Sequence, residues 1–219
     1  MSGLEWVKPR FDEDRLARII KMADEYLSVR DSAREEAIRL SREVIRSSSR
    51  CITALHKGDL EEARRHLSLA ESHARRLVKV LEPYPEMLNS GMANNALSEY
   101  AEASIVFGIA TGRGLPEPGE LGIGIIPYLQ GLGDSVGELR RLALELVRVG
   151  RFGEAWALLE AMESIYIGLR SIDYPEALAP GIRHKADVAR RLIDDTKEML
   201  VDLESRRRLE EAIRGRKEI

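Results

Sequence analysis

Residues 96–103 read Ala-Leu-Ser-Glu-Tyr-Ala-Glu-Ala. Glu99 and Glu102 are three residues apart, so on a helix both carboxylates project from the same face. The other positions, among them Leu97 and Ala101, are mostly apolar or small. The stretch therefore predicts a helix that packs against neighbours on most of its surface and carries two acidic groups on one side.

A second acidic pair lies in residues 131–141, which read Gly-Leu-Gly-Asp-Ser-Val-Gly-Glu-Leu-Arg-Arg. Asp134 and Glu138 are four residues apart and also share a helix face. Four carboxylates that meet between two apolar helices are costly unless a cation neutralises them. We therefore predict a divalent metal site, although acidic pairs are also common on solvated helix faces.

The ligand types narrow the choice of metal. Ferritin-like di-iron sites use Glu-x-x-His motifs, and neither acidic pair has a histidine at that spacing. Ligation by oxygen alone suits Mg²⁺ or Mn²⁺ better than iron or zinc. All-α nucleotide pyrophosphohydrolases use Glu-x-x-Glu followed by Glu-x-x-Asp, and this sequence matches only the first half of that pattern.

Composition favours long amphipathic helices. Of the 219 residues 44% are apolar, 32% are charged and only 5% are aromatic. The net charge of −3 excludes a uniformly basic nucleic-acid binder but leaves room for local arginine patches. One cysteine, Cys51, permits neither an intramolecular disulfide nor a zinc-thiolate cluster. Because the N-terminus lacks a signal-peptide pattern and no apolar run is long enough for a membrane span, we expect a soluble, cytoplasmic protein.

Apolar periodicity and turn residues predict an all-α bundle of about six helices in one domain, residues 1–219, with flexible ends at 1–11 and about 206–219. The first helix, 12–57, would be about 69 Å long, so its protruding half would need partners in an oligomer. A capping box at Ser32 and Glu35 could instead restart it. The other helices are predicted at 59–82, 93–110, 127–149, 151–171 and from 181 into a fraying tail.

Glycines are concentrated around the second acidic pair. Residues 111–125 are rich in glycine and proline and predict a loop, either an entrance to the site or a mobile linker. Gly131, Gly133 and Gly137 each cost a helix about 1 kcal/mol relative to alanine. Close approach of a neighbouring helix or of a substrate backbone would offset that cost; alternatively, the helix begins after Gly133.

Basic residues form two further groups, one on the first helix and one near the start of the last. Either group could bind phosphates, although solvated arginines paired with nearby carboxylates explain the pattern equally well. The predicted phosphate contacts are Arg42, Arg46, Arg183 and Lys185. Three histidines share no ligand spacing with the acidic pairs, and we expect them to be structural or surface residues: His56, His66 and His73.

Several segments together resemble the translin and translin-associated factor X family, and look most like its archaeal members. Residues 97–103 are similar to the family's Leu-Gln-Glu-Tyr-Val-Glu-Ala segment, and residues 128–139 to its Tyr-Leu-Leu-Gly-x-x-Asp-Leu-Thr-Gly-Glu-Leu segment. The other similar segments are 41–56, 173–175 and 183–187.

The resemblance implies an all-α, translin-like fold of about seven helices, so six to seven in all, assembled into a hollow octameric shell that binds single-stranded RNA, and also DNA. It further implies metal-dependent cleavage of RNA by the factor X type of subunit, which has the full acidic set, whereas the translin type lacks the equivalent of Asp134. All four positions are filled here, which implies a homo-oligomeric endoribonuclease. The catalytic and metal-binding residues implied are Glu99, Glu102, Asp134 and Glu138, with Mg²⁺ or Mn²⁺ as cofactor.

Two alternatives belong to other functional classes. The chain could form a non-catalytic shell that binds single-stranded RNA or DNA, with the acidic set as a vestige or a structural metal site. It could also be a helical adaptor with no nucleic-acid role. Metal-dependent hydrolysis would separate the nuclease from both, and salt-sensitive RNA binding without hydrolysis would separate the shell from the adaptor.

Overall fold

The computed structural model describes residues 10–215, and this part of the chain is helical with no β-strand. The predicted all-α fold and long first helix are confirmed. Six long helices correspond to those predicted, and two single-turn helices follow proline residues in the connections. The helices are α1 Glu13–His56, α2 Leu60–Leu81, α3 Pro85–Leu88, α4 Gly91–Ala110, α5 Pro118–Leu121, α6 Ile125–Arg148, α7 Phe152–Arg170 and α8 Ile182–Gly215.

Helix α1 is continuous, so the restart at Ser32 is wrong. The Ser32 hydroxyl donates a hydrogen bond to the carbonyl of Ser28, at 3.0 Å, and is therefore satisfied inside the helix. The helix begins at the N-cap Asp12, whose side chain accepts from the Arg15 amide at 2.9 Å. Burial begins only at Ala37, so the N-terminal half of α1 protrudes from the bundle.

Helix α4 is the centre of the fold. It packs against α1 and α2 on one side and against α6 on the other. Twelve of its residues are buried, which explains why the helix is apolar around most of its circumference. The second half of the bundle is built by α6, α7 and α8, which share their own apolar core. Helices α4 and α6 are therefore the junction between the two halves of the core.

The connections differ in detail from the predictions. Within the predicted loop 111–125, α5 forms one turn that ends at Gly122, whose φ of 68° favours glycine. Where fraying was expected in the C-terminal tail, α8 continues to Gly215. The remaining residues of the expected flexible ends, 1–9 and 216–219, lie outside the described residues. Within residues 10–215, none of the helices has both the length and the apolar character that a membrane span requires.

Candidate metal and nucleic-acid site

The two acidic helices touch at Gly131. A Cβ atom at this position would lie 2.5 Å from the Ser98 carbonyl oxygen and 2.7 Å from both the Ala101 Cβ and the Glu102 amide nitrogen. Only glycine lets the α6 backbone approach α4 this closely. Of the two explanations for the glycines, close helix approach is therefore correct here, and a helix start after Gly133 is wrong because α6 begins at Ile125.

This contact brings the four predicted carboxylates into one electrostatic cluster. Burial, together with the negative charges of Asp134, Glu99 and Glu138, raises the pKa of Glu102 to about 8, against the opposing effect of Lys185. Burial likewise raises the pKa of Glu99, with the same kind of contribution from α6. Both carboxyl groups on α4 are therefore poorly stabilised as anions by the side chains around them.

Lys185, from the first turn of α8, lies directly against Asp134. Its Nζ is 2.5 Å from Asp134 Oδ1, and its side chain is 23% exposed. Gly133 provides the space for the lysine, because a Cβ at that position would lie 2.8 Å from the Lys185 Cβ and 2.9 Å from its Cδ. Sequence analysis assigned Lys185 to phosphate binding; in the structure its ammonium group forms an ion pair with a carboxylate of the cluster.

His56 is the residue of the site that sequence analysis missed. Its Nε2 forms a hydrogen bond with Glu138 Oε2, and its side chain is only 7% exposed. The Nδ1 atom is buried and has no hydrogen-bond partner among the described residues. His56 is 82 residues from Glu138 in sequence, so only its place in the segment 41–56, which resembles the translin family, carried a signal.

The ligand types of the cluster fit Mg²⁺ or Mn²⁺, but the positions of its side chains do not form a complete metal site. Its ligands are carboxylate oxygens, and within residues 10–215 neither Glu99 nor Glu102 accepts a hydrogen bond or forms an ion pair. Across the same residues, however, no three acidic, histidine or cysteine side chains are arranged to hold a metal ion as they stand. Asp134 and Glu138 are instead bonded to Lys185 and His56.

The three predicted arginine contacts lie outside this cluster of side chains. Arg46 pairs with Glu43 at 3.1 Å, and Arg183 pairs with Asp173 at 3.0 Å, both at the surface. Arg42 is exposed on α1. Along the helix axis, Arg46 is about 15 Å from His56 and Arg42 about 21 Å. The predicted phosphate contacts of these arginines therefore remain predictions.

Comparison with known proteins identifies the family. No protein-family model matches the chain. An uncharacterized protein of Methanocaldococcus jannaschii is 30% identical over 172 residues, which cover 78% of this chain and 76% of that protein. The solved structure of AfC3PO has a TM-score of 0.78 at 33% identity, and covers 88% of this chain and 98% of its own. The C3PO proteins belong to the translin family.

This chain is a member of the translin family.

Two further solved structures are similar to this chain. AfC3PO in complex with duplex RNA has a TM-score of 0.77 at 32% identity, and covers 88% of this chain and 98% of its own. Apo-NeC3PO has a TM-score of 0.75 and covers 84% and 96%, but at 23% identity this likeness shows the fold alone. The family resemblance seen in the sequence is thus confirmed over most of the chain.

Proposed function

We propose that this translin-family protein is a metal-dependent endoribonuclease that cleaves single-stranded RNA inside a homo-oligomeric shell. The observation that carries the proposal is the carboxylate cluster between α4 and α6, in which Glu102 is half-buried and has a pKa raised to about 8. Perturbed carboxyl groups of this kind occur preferentially at functional sites. In this proposal, a bound metal ion offsets the free-energy cost of placing these carboxyl groups between the two helices.

The residues of the cluster have separate tasks in this proposal. Glu99, Glu102, Asp134 and Glu138 hold Mg²⁺ or Mn²⁺, which would activate a water molecule and stabilise charge on the phosphate. His56 fixes the orientation of Glu138 through Nε2, as hydrogen-bonded neighbours of metal-binding carboxylates generally do. Glu102 holds a proton at neutral pH without metal and releases it when a cation binds, so metal affinity rises with pH.

RNA is the proposed substrate because AfC3PO, similar over 88% of the chain, has been solved with duplex RNA. The exposed basic residues Arg42, Arg46 and Arg183 are the proposed contacts to the RNA backbone, each at the surface of the bundle. The duplex in that complex differs from the single strand expected here. Both forms therefore belong in the assay, as does single-stranded DNA as a second ligand.

Oligomerisation is supported by the protruding half of α1. Five large apolar residues that share one side of this half are exposed by 45% to 60%. A stripe of this size on a protruding helix normally marks a protein interface. We propose a homo-octamer on the basis of the family resemblance. The exposed residues are Leu16, Ile19, Ile20, Tyr26 and Leu27.

The test is cleavage of end-labelled single-stranded and duplex RNA of identical sequence, with Mg²⁺, with Mn²⁺ and after chelation. Asp134→Asn removes a carboxylate of the cluster, and Glu163→Gln, which affects a surface ion pair with Lys197, is the matched control. Loss of cleavage on chelation and with Asp134→Asn, but not with Glu163→Gln, supports the proposal. Cleavage that survives chelation would exclude it.

The second candidate is a non-catalytic RNA-binding shell. It is favoured by the present arrangement of the side chains, in which Lys185 and His56 bond two of the carboxylates and no three potential ligands within residues 10–215 are arranged for a metal. In that case the wild-type protein would bind RNA in a salt-sensitive manner and leave it intact with every metal.

A further inference from the structure

Lys185 is held against the carboxylate cluster by a dedicated piece of backbone. Its stem lies on Gly133, where any larger residue would place a Cβ within 2.8 Å of the Lys185 Cβ. Its Nζ is 2.5 Å from Asp134 Oδ1. Both helices therefore determine the position of the lysine, because α6 has a glycine at the point where the Lys185 side chain of α8 packs against it.

The charge of the cluster explains why a cation is present. Four carboxylates meet between α4 and α6, and two of them, Glu99 and Glu102, have no ion pair within residues 10–215. Lys185 lowers the electrostatic cost of both, because its positive charge opposes the effect of the neighbouring acidic groups. It thus performs part of the neutralisation that a divalent ion would perform.

A metal ion that bound through Asp134 Oδ1 would compete with the lysine for that atom. An ammonium nitrogen 2.5 Å from Asp134 Oδ1 occupies the space in which Mg²⁺ would approach that oxygen to about 2.0–2.1 Å. The lysine can move, because its charge is at the end of a flexible four-carbon stem and 23% of the side chain is exposed. His56, at 7% exposure, has no comparable freedom.

We propose that Lys185 is the resident cation of the carboxylate cluster, that its ammonium group leaves Asp134 when a divalent ion binds, and that the freed Nζ then contacts a phosphate oxygen of the RNA. This inference depends on the metal site of the proposed function, but not on cleavage. It reconciles the ion pair seen in the structure with the phosphate contact predicted from sequence, because the lysine would make the two contacts in turn.

The first experiment measures the accessibility of Lys185. The intact protein is acetylated with an amine-reactive ester, and the rate at each lysine is followed by mass spectrometry, with and without Mn²⁺. If a divalent ion displaces the Lys185 ammonium group from Asp134, Lys185 should be labelled faster with Mn²⁺. Its labelling should then slow when a 2′-O-methyl RNA oligonucleotide is added. Lys197 lies on the same helix as Lys185 and pairs at the surface with Glu163 of α7. It should label at the same rate throughout.

The second experiment measures Mn²⁺ affinity by titration calorimetry. Lys185→Met keeps an unbranched stem on Gly133 but removes the charge, so we expect Mn²⁺ to bind about tenfold more tightly or better. Lys197→Met is the matched control and should bind like the wild type. This readout does not depend on whether RNA is cleaved.

The outcomes separate this inference from the proposed nuclease activity. Faster labelling of Lys185 with Mn²⁺ but no RNA cleavage would support the exchange and exclude the nuclease. Unchanged labelling of Lys185 in the Mn²⁺-saturated protein would overturn the exchange, as would weaker Mn²⁺ binding by Lys185→Met. Absence of Mn²⁺ binding to both the wild type and Lys185→Met would also overturn it. Labelling that stays fast when the oligonucleotide is bound would overturn the phosphate contact.

Discussion

Replacing Gly131 by alanine should force α4 and α6 apart. The added Cβ would meet the Ser98 carbonyl oxygen at 2.5 Å, and the Ala101 Cβ and the Glu102 amide nitrogen at 2.7 Å. None of these atoms belongs to a flexible side chain that can turn away, so the backbones must shift. Overpacking of this kind costs about 1–3 kcal/mol, and we expect the upper part of that range. The higher helix propensity of alanine offsets about 1 kcal/mol of this cost.

Gly137→Ala, six residues further along α6, provides the matched control. Nothing lies within 4 Å of a Cβ at Gly137, so this variant gains helix propensity without a clash. The free energy of unfolding of the two variants should differ by about 2–3 kcal/mol. For a chain of this size, each kcal/mol shifts the Tm by about 2–4 °C. The measurement is thermal and urea unfolding without metal, and equal stability of the two variants would refute the close-contact argument.

Three further predictions concern the site and the protruding helix. His56→Phe should lower metal-dependent cleavage about 10- to 100-fold, because it frees the partner carboxylate on α6; His66→Phe, equally buried, should leave the rate unchanged, and similar rates for both would contradict the positioning role. The metal-free protein should lose stability between about pH 4.5 and 8, since the raised pKa of Glu102 gives the folded state a proton that the unfolded state has released. In urea unfolding, the free energy of unfolding of Glu102→Gln should decline less over this pH range than that of the wild type. An identical decline in the two proteins would contradict this. Leu27→Glu should split the oligomer in light-scattering measurements, whereas Lys21→Glu on another face of α1 should not; an intact oligomer in both would remove the stripe from the interface.

The long helices could be predicted from sequence because their signals are local. Asp59 caps α2 by accepting from the Glu62 amide at 3.0 Å, as its position before an apolar stripe indicated. The continuity of α1 could not be decided, because Ser32 suits both a cap and a helix interior. The choice depends on where its hydroxyl finds a partner, which is the carbonyl of Ser28.

The candidate site was predictable only in part. The spacing of the acidic pairs places each pair on one helix face, and the glycines of α6 indicated a close approach. Neither pattern shows which helix comes close, nor that Lys185 is the side chain lying on Gly133. The contact between His56 and Glu138 joins residues 82 positions apart, and no short-range pattern encodes such a pair. Tertiary packing alone brings these groups together.

The central claim is that the carboxylate cluster binds the metal that cleaves RNA. It is tested most directly by measuring bound Mn²⁺ per chain and RNA cleavage on the same samples of wild type, Glu102→Gln and the surface control Glu163→Gln. We expect Glu102→Gln to lose Mn²⁺ binding and cleavage together, and Glu163→Gln to keep both. Cleavage that persists in Glu102→Gln without bound Mn²⁺ would contradict the account.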